Sequence, residues 1–539
     1  MANQVGSAAQ DVPTVDHPVK EARPAAQAPR GLALLWKTED WLAVWVGFLV
    51  ILLIVGGLGV RLTKFKWTTD AEFASYATTL RDGGSIERLS SAARAKGEAG
   101  LAGGLAALGV AVAGAERGAI GDAAKKVESA AGAVKDPALK AGAAKLAKEV
   151  RTEAGNRTDK VFTRENVLWG VALGIGYLVL SVVALAFLGE KPAGVIVGFP
   201  VVFALAWAAQ FIAGNHSVQY YGVEYVLWCL FLGLFVSNVI GLPAWLKPAV
   251  RTEFYIKTGL VVLGAGILFG EIMRAGVYGI VQAVLVVTVV WAFTYWIAKK
   301  LRIDDDFAAV LSSSVSICGV SAAIATGGAI KADGKKISYA TSIVLLCAIP
   351  MLILQPLVAR WAGMSDVVAG AWLGGTLDTS GSVVAAGALI SEVAMKTGVI
   401  VKMSQNVLIG FAAFALSVVW TVRALKASGS QERPSAMEIW NRFPKFVLGF
   451  VVASVAFSFW VAPGTVEATK GTLAGLRTWW FALAFTCIGL ETRFSDLAKM
   501  EGGRPAAAFL LGQGFNIAWT LLLAWLIFGG VLFAAPPIR

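Results

Sequence analysis

Asn166-Val-Leu-Trp-Gly-Val-Ala-Leu-Gly-Ile-Gly-Tyr-Leu-Val-Leu-Ser-Val-Val-Ala-Leu-Ala-Phe-Leu188 runs for 23 residues without a charge. A helix of about 20 apolar residues crosses a hydrocarbon core ~30 Å thick. Backbone groups in lipid have no water to bond, so such a block must be helical. Similar blocks recur at roughly 193–213, 224–243, 254–272, 276–298, 306–330, 337–358, 366–390, 397–422, 444–462, 476–491 and 506–533. With Trp41–Val60 they predict about 13 spans, an all-α polytopic transmembrane bundle.

Composition agrees. Hydrophobic residues make up 57% of the chain and charged residues 15%, against about a quarter in soluble proteins. Trp41, Trp169, Trp245, Trp361 and Trp479 fall near block ends, as interfacial anchors do. The net charge of +12 comes from Lys and Arg between the blocks. It reads as topology and lipid headgroup contact rather than nucleic-acid binding. Two distant His and four Cys inside apolar blocks, without a C-x-x-C pair, support neither a metal site nor a disulfide framework.

Residues 1–40 are polar and read as a disordered N-terminal tail, and 41–62 as the first transmembrane helix. Residues 63–163 are rich in Ala, Gly, Lys and Glu and read as a small helical, extracytoplasmic insert. The run Leu101–Ala115 is too short for an extra span. Residues 164–539 form the transporter-like membrane domain. The Lys and Arg balance puts the N-terminus in the cytoplasm, although Lys331, Lys335 and Lys336 then fall on the wrong side.

Gly264, Phe269, Glu271, Ile272 and Arg274 are echoed by Gly489, Phe494, Asp496, Leu497 and Lys499 at a constant offset of 225. An odd number of spans between the copies predicts an inverted repeat, a common transporter architecture.

Two stretches carry chemistry. Ser312-Ser-Ser-Val-Ser-Ile-Cys-Gly-Val-Ser321 packs five Ser around Gly319. Gly374-Gly-Thr-Leu-Asp-Thr-Ser-Gly-Ser-Val-Val-Ala-Ala-Gly387 sets Asp378 among hydroxyls. Both argue for broken or re-entrant helices whose free N-termini face a solute. Ser316, Cys318, Gly319, Ser321, Thr376, Asp378, Thr379, Ser380 and Ser382 are the expected substrate-binding residues. Asp378, Lys402, Gln405, Asn406 and Glu491 are candidates for ion coupling or charge balance. Lys257 and Glu491 lie near span ends, where snorkelling explains them equally well. Nucleotide-binding and hydrolase motifs are lacking, and no nucleophile–base pair points to an enzyme.

At Lys257-Thr-Gly-Leu-Val-Val-Leu-Gly264, Ser316-Ile-Cys-Gly-Val-Ser-Ala-Ala323, Gly375-Thr-Leu-Asp378, Val383-Val-Ala-Ala-Gly387 and Val401-Lys-Met403, the chain resembles the bacterial YeiH-type family. The resemblance covers about residues 190–533. It implies kinship with bile acid symporters and sodium/proton antiporters, and interrupted helices in inverted repeats. The family's naming implies export of sulfate or a related sulfur-containing anion. Better-known members carry His-Glu where Asp378-Thr379 stand, so coupling through that His is in doubt here. The expected protein is a bacterial inner-membrane secondary transporter of a small anion. It needs no cofactor beyond a coupling proton or sodium ion. Its expected partners are the anionic solute and membrane lipids, with a homo-oligomer left open. The alternatives are a cation/proton antiporter, or a receptor or scaffold acting through the insert.

Overall fold

The computed structural model describes residues 34–220, 224–267, 269–428, 440, 443–493, 503–534, 536 and 538. Most of the expected tail, and the 494–499 half of the sequence echo, lie outside them. The described part of the tail is already helical: Leu34–Lys37 precedes α1 (Glu39–Val55). Stacking of Trp36 and Trp41 on Trp45 holds this start together. α1 stops at Gly56-Gly57, where Gly57 takes a left-handed φ of 96°. Gly accepts that conformation at no steric cost.

The insert is a five-helix bundle: α2 (Asp70–Asp82), α3 (Ser85–Ala95), α4 (Ala99–Ala113), α5 (Arg117–Gly132) and α6 (Pro137–Gly155). Leu101, Leu105, Leu108 and Val112 of α4 are buried against Ile120, Val127 and Val150. The apolar run therefore serves a soluble-type core. Thr69 and Glu72 form a capping box at the start of α2, which satisfies two orphan N–H groups.

The membrane domain comprises α7 (Arg164–Phe187), α8 (Pro192–Ala213), α9 (Tyr225–Phe235), α10 (Thr252–Gly264), α11 (Phe269–Lys300), α12 (Asp305–Ser316), α13 (Gly319–Ala329), α14 (Gly334–Trp361), α15 (Asp366–Thr376), α16 (Ser380–Ile390), α17 (Glu392–Ser428), α18 (Lys445–Val455), α19 (Pro463–Glu491) and α20 (Arg504–Phe528). Seven of the described helices are long and apolar enough to cross a membrane: α7, α8, α11, α14, α17, α19 and α20.

The stretches 306–330 and 366–390 are not spans, as first counted. Each is a re-entrant hairpin of two half-helices, one α12–α13 and the other α15–α16. Val310 of α12 lies beside Gly327 of α13, although a continuous helix would separate them by about 25 Å at 1.5 Å per residue. Asp304, before α12, pairs with Lys336 at the start of α14 at 2.6 Å. Both ends of the first hairpin therefore lie on one face. In the second, Arg360 at the end of α14 donates to the Leu389 carbonyl at the end of α16. Both its ends lie on the opposite face, the one nearer the insert. Half-helices of 11–12 residues reach about 17 Å, roughly the middle of the bilayer.

The repeat is visible in packing. α9 and α18 are each 11 residues long and each runs on into a π-helical turn, Val236–Ile240 and Ala456–Trp460. A Cβ on Gly264 would lie 2.3 Å from the Phe450 carbonyl oxygen, and one on Gly489 would lie 2.5 Å from that of Leu230. The four residues are pairwise equivalent, Gly264 with Gly489 and Leu230 with Phe450. α10 and α19 run antiparallel, with Thr252 of one donating to Glu491 at the end of the other at 2.9 Å. The two copies are thus inverted. Their order is permuted: one hairpin follows α11, whereas the other precedes α18.

Candidate functional site

The hairpin tips meet. The Gly319 N–H donates to the Asp378 carbonyl at 2.7 Å. A Cβ on Gly319 would lie 2.1 Å from Val344 and 3.1 Å from Asp378, so this approach requires glycine.

Breaking two helices in mid-membrane exposes carbonyls that lipid cannot satisfy. Amide and ammonium groups from surrounding helices cap them. Asn516 donates to the Val315 carbonyl at 3.1 Å. Gln405 donates to the carbonyls of Ser316 at 2.8 Å and Gly375 at 3.3 Å. Lys402 donates to the Ile317 carbonyl at 2.7 Å and to Gln405 Oε1 at 3.0 Å, a cation on the negative end of α12. Gln513 donates to the Thr376 carbonyl at 2.9 Å, and Gln282 to that of Ala371 at 2.8 Å. The C-terminal ends of α12 and α15 are thus satisfied by protein. α13 and α16 begin beside them, and the first-turn N–H groups of a helix have no partner within it.

A cavity of about 320 Å³ lies at those two starts. Cys318, Ser321, Thr379, Ser380 and Asn406 line it, as do Asp40, Glu253, Lys257 and Phe446. Asn406 donates to the Ser380 hydroxyl at 3.1 Å. The Thr379 hydroxyl accepts from the Ser382 N–H at 3.1 Å. Lys257 Nζ sits 2.9 Å from Asp40, 3.4 Å from Glu253 and 3.5 Å from Glu39.

The structure divides the residues expected from sequence. Cys318, Ser321, Thr379, Ser380 and Asn406 share the cavity, and Gly319 and Asp378 form the tip contact. Ser316 bonds back to the Ser312 carbonyl at 2.7 Å, and Ser312 and Ser314 do likewise within α12. Thr376 is enclosed with Gln355 and the Trp372 carbonyl. Ser382 supports Thr379 from behind. Lys402 and Gln405 are caps. Glu491 lies at the exposed end of α19 on Thr252, outside the cavity lining.

Asp378 is 1% exposed, and neither of its carboxylate oxygens has a hydrogen-bond partner among the described residues. Lys402 makes no ion pair with it. A charge so enclosed costs several kcal/mol. Such a carboxyl is tolerated when it is protonated, paired or wet.

Sequence reasoning missed Asp40, Glu253 and Phe446 and left Lys257 evenly balanced between a functional role and snorkelling. Lys257 interrupts the otherwise apolar run from Phe254 to Leu263 apart from Thr258, which was the available signal. Its partner acids on α1 lie more than 200 residues away and outside the family resemblance.

Two opposed re-entrant hairpins meeting at a polar cavity within an inverted repeat define the class: a polytopic, transporter-like membrane protein. The chain belongs to the UPF0324 membrane protein family, described also as conserved hypothetical protein 698, which matches residues 197–508. It is 40% identical over 371 residues to a UPF0324 membrane protein of Rhodopirellula baltica, covering 67% of this chain and 68% of that one. One from Nitratidesulfovibrio vulgaris is 37% identical over 395 residues, 71% of this chain and 66% of the relative. The UPF0324 inner membrane protein YeiH of Escherichia coli is 26% identical over 310 residues, 56% and 82% of the two chains. The aligned stretch takes in about two thirds of the first two relatives' own length. No solved structure matches. α1 and the insert precede the matched region.

Proposed function

We propose that the protein is a secondary transporter that moves a small anion, sulfate or a sulfur-containing anion, across the bacterial inner membrane by alternating access. One observation carries this reading: two half-helix N-termini, with the hydroxyls of Ser321, Thr379 and Ser380, converge on one cavity that also holds Lys257. Helix N-termini favour anions through their N–H groups and dipole. The YeiH relative's name as an inner membrane protein supports the location.

The re-entrant topology supports the orientation. With the first hairpin returning to its own face, Lys331, Lys335 and Lys336 join Lys299, Lys300, Arg302, Arg423 and Lys445 on the face where α1 begins. That face is cytoplasmic by the positive-inside rule, and the insert lies outside. The cavity lies toward the cytoplasmic end of α10. A recess of about 460 Å³ lined by Glu392, Glu467, Lys470 and Arg477 lies at its other end. Exchange of access between these two ends is the proposed transport step, with Asp378 carrying the coupling proton or sodium ion.

A cation/proton antiporter is the second reading, because carboxylates outnumber Lys257 at the cavity. Flux in proteoliposomes separates the two. Wild-type protein should move sulfate under a proton or sodium gradient, and Asp378→Asn should stop coupled flux while the protein stays folded. Sodium movement indifferent to sulfate would favour the antiporter. Unchanged sulfate flux in Asp378→Asn would remove that residue from the mechanism.

A further inference from the structure

The ammonium that lines the cavity is already occupied. Lys257 Nζ contacts Asp40, Glu39 and Glu253, and lies 5.8 Å from the centre of the Phe446 ring. Its side chain is 14% exposed. Lys402, the other buried cation nearby, is turned away to the Ile317 carbonyl. Among the described residues that line the cavity, Lys257 is the cation available to an oxyanion.

Two of the three carboxylates come from α1, which lies before the family match at residue 197. α1 is fitted closely to the membrane domain. A Cβ on Gly47 would lie 2.7 Å from Val261, so the helix backbone rests directly on α10. Asp40 also accepts from the Lys445 backbone N–H at 2.8 Å, which ties α1 to the first residue of α18. The acids are thus placed by two independent contacts, on α10 and α18.

The charge count sets the direction of the effect. Within this cluster of four groups, three carboxylates against one ammonium leave an excess of two negative charges, and the Lys445 ammonium also acts on Asp40. Neutralising Glu39 and Asp40 leaves Glu253 to balance Lys257. A cleft walled by one sign of charge changes the entry rate of charged ligands by about tenfold or more.

We propose that α1 is an electrostatic lock on the cavity: Glu39 and Asp40 occupy Lys257 in place of an oxyanion, and exclude anions until one displaces them. This deepens the anion reading and rests on it in one respect, the chemistry of the displacing ligand.

Cys318 lines the cavity and reports access to it. The test uses full-length protein carrying Cys229→Ala, Cys347→Ala and Cys487→Ala. Cys318 is labelled with the anionic reagent methanethiosulfonate ethylsulfonate or with neutral methyl methanethiosulfonate. The Glu39→Gln/Asp40→Asn variant should speed anionic labelling about tenfold and leave neutral labelling unchanged. Adding Lys257→Gln should reverse the gain. Each single substitution should give part of it, which carries the test if the double variant does not fold. Equal acceleration of both reagents, or no change in the anionic rate, overturns the lock. If sulfate protects Cys318 in the parent while charge removal changes nothing, the lock fails and the anion reading stands. If the charge effect holds but sulfate never protects, the lock stands and the sulfate reading fails.

Discussion

Gln405 shows how much of this membrane core depends on single polar side chains. It caps one carbonyl from each hairpin and accepts from Lys402. Gln405→Leu leaves all three groups short of a partner, and a buried unsatisfied group costs about 1–3 kcal/mol. The variant should melt several degrees lower in detergent, and an unchanged melting temperature would refute the capping role. At this scale the sequence was partly legible. The density of Ser around Gly319 located a hairpin tip, because hydroxyls crowd where a membrane helix breaks. It did not show which hydroxyls face the cavity, since Ser312, Ser314 and Ser316 satisfy themselves on their own helix. Nor could it show that Lys257 meets Asp40, because that pairing exists only after α1 has packed on α10.

At the scale of elements, the hairpins decide the topology. A stretch of about 25 apolar residues with a glycine break fits a broken span or a hairpin equally well, so the residues pointed to a broken or re-entrant helix without deciding between the two. Contact between Asp304 and Lys336 settles it. The three lysines that contradicted the charge rule were the clue, for a hairpin returns them to the lysine-rich face. Lys299→Cys and Lys335→Cys, each introduced singly, should both react with an impermeant maleimide from one side of sealed vesicles, and Trp361→Cys from the other. Labelling of Lys299→Cys and Lys335→Cys from opposite sides would disprove the re-entrant path. The glycine pairs of the repeat yield a further expectation. Gly489→Leu places a side chain where the Leu230 carbonyl stands. It should reduce folded yield far more than Gly514→Leu, whose Cβ meets nothing within 4 Å. Equal yields would mean that the close approach of α9 and α19 is unimportant.

At the scale of the molecule, the insert is anchored on the membrane domain. Trp67 stacks on Phe211 with ring centres 4.9 Å apart, and its backbone pairs with Gly214 and His216. Glu72 reaches across to Ser217 at 2.5 Å and Asn215 at 3.0 Å. Burial alone would raise the Glu72 carboxyl. Donors from Ser217, Thr69 and Asn215 outweigh it and pull the group from 4.5 down to about 2. A depressed carboxyl stabilises the docked state above its unfolded pKa, and that contribution is lost as pH falls through the folded one. Docking should therefore loosen between about pH 4.5 and 2. Limited proteolysis with an acid-active protease should show cleavage near residues 63–70 rising over that range, and Glu72→Gln should flatten the rise. A pH-independent pattern in the wild type would sink this account. The Ala-rich composition foretold a helical insert but not this seating, which depends on contacts between residues about 145 apart.

The carbonyl caps also bear on how the chain is made. Val315 on the first hairpin is satisfied by Asn516, 201 residues later. Gln405 and Lys402 arrive some 90 residues after the tip they cap. At about 5–20 residues per second, the ribosome needs tens of seconds to deliver α20. During biogenesis the first hairpin therefore cannot settle as it emerges. A nascent chain arrested before α20 would lack the Asn516 cap on the Val315 carbonyl.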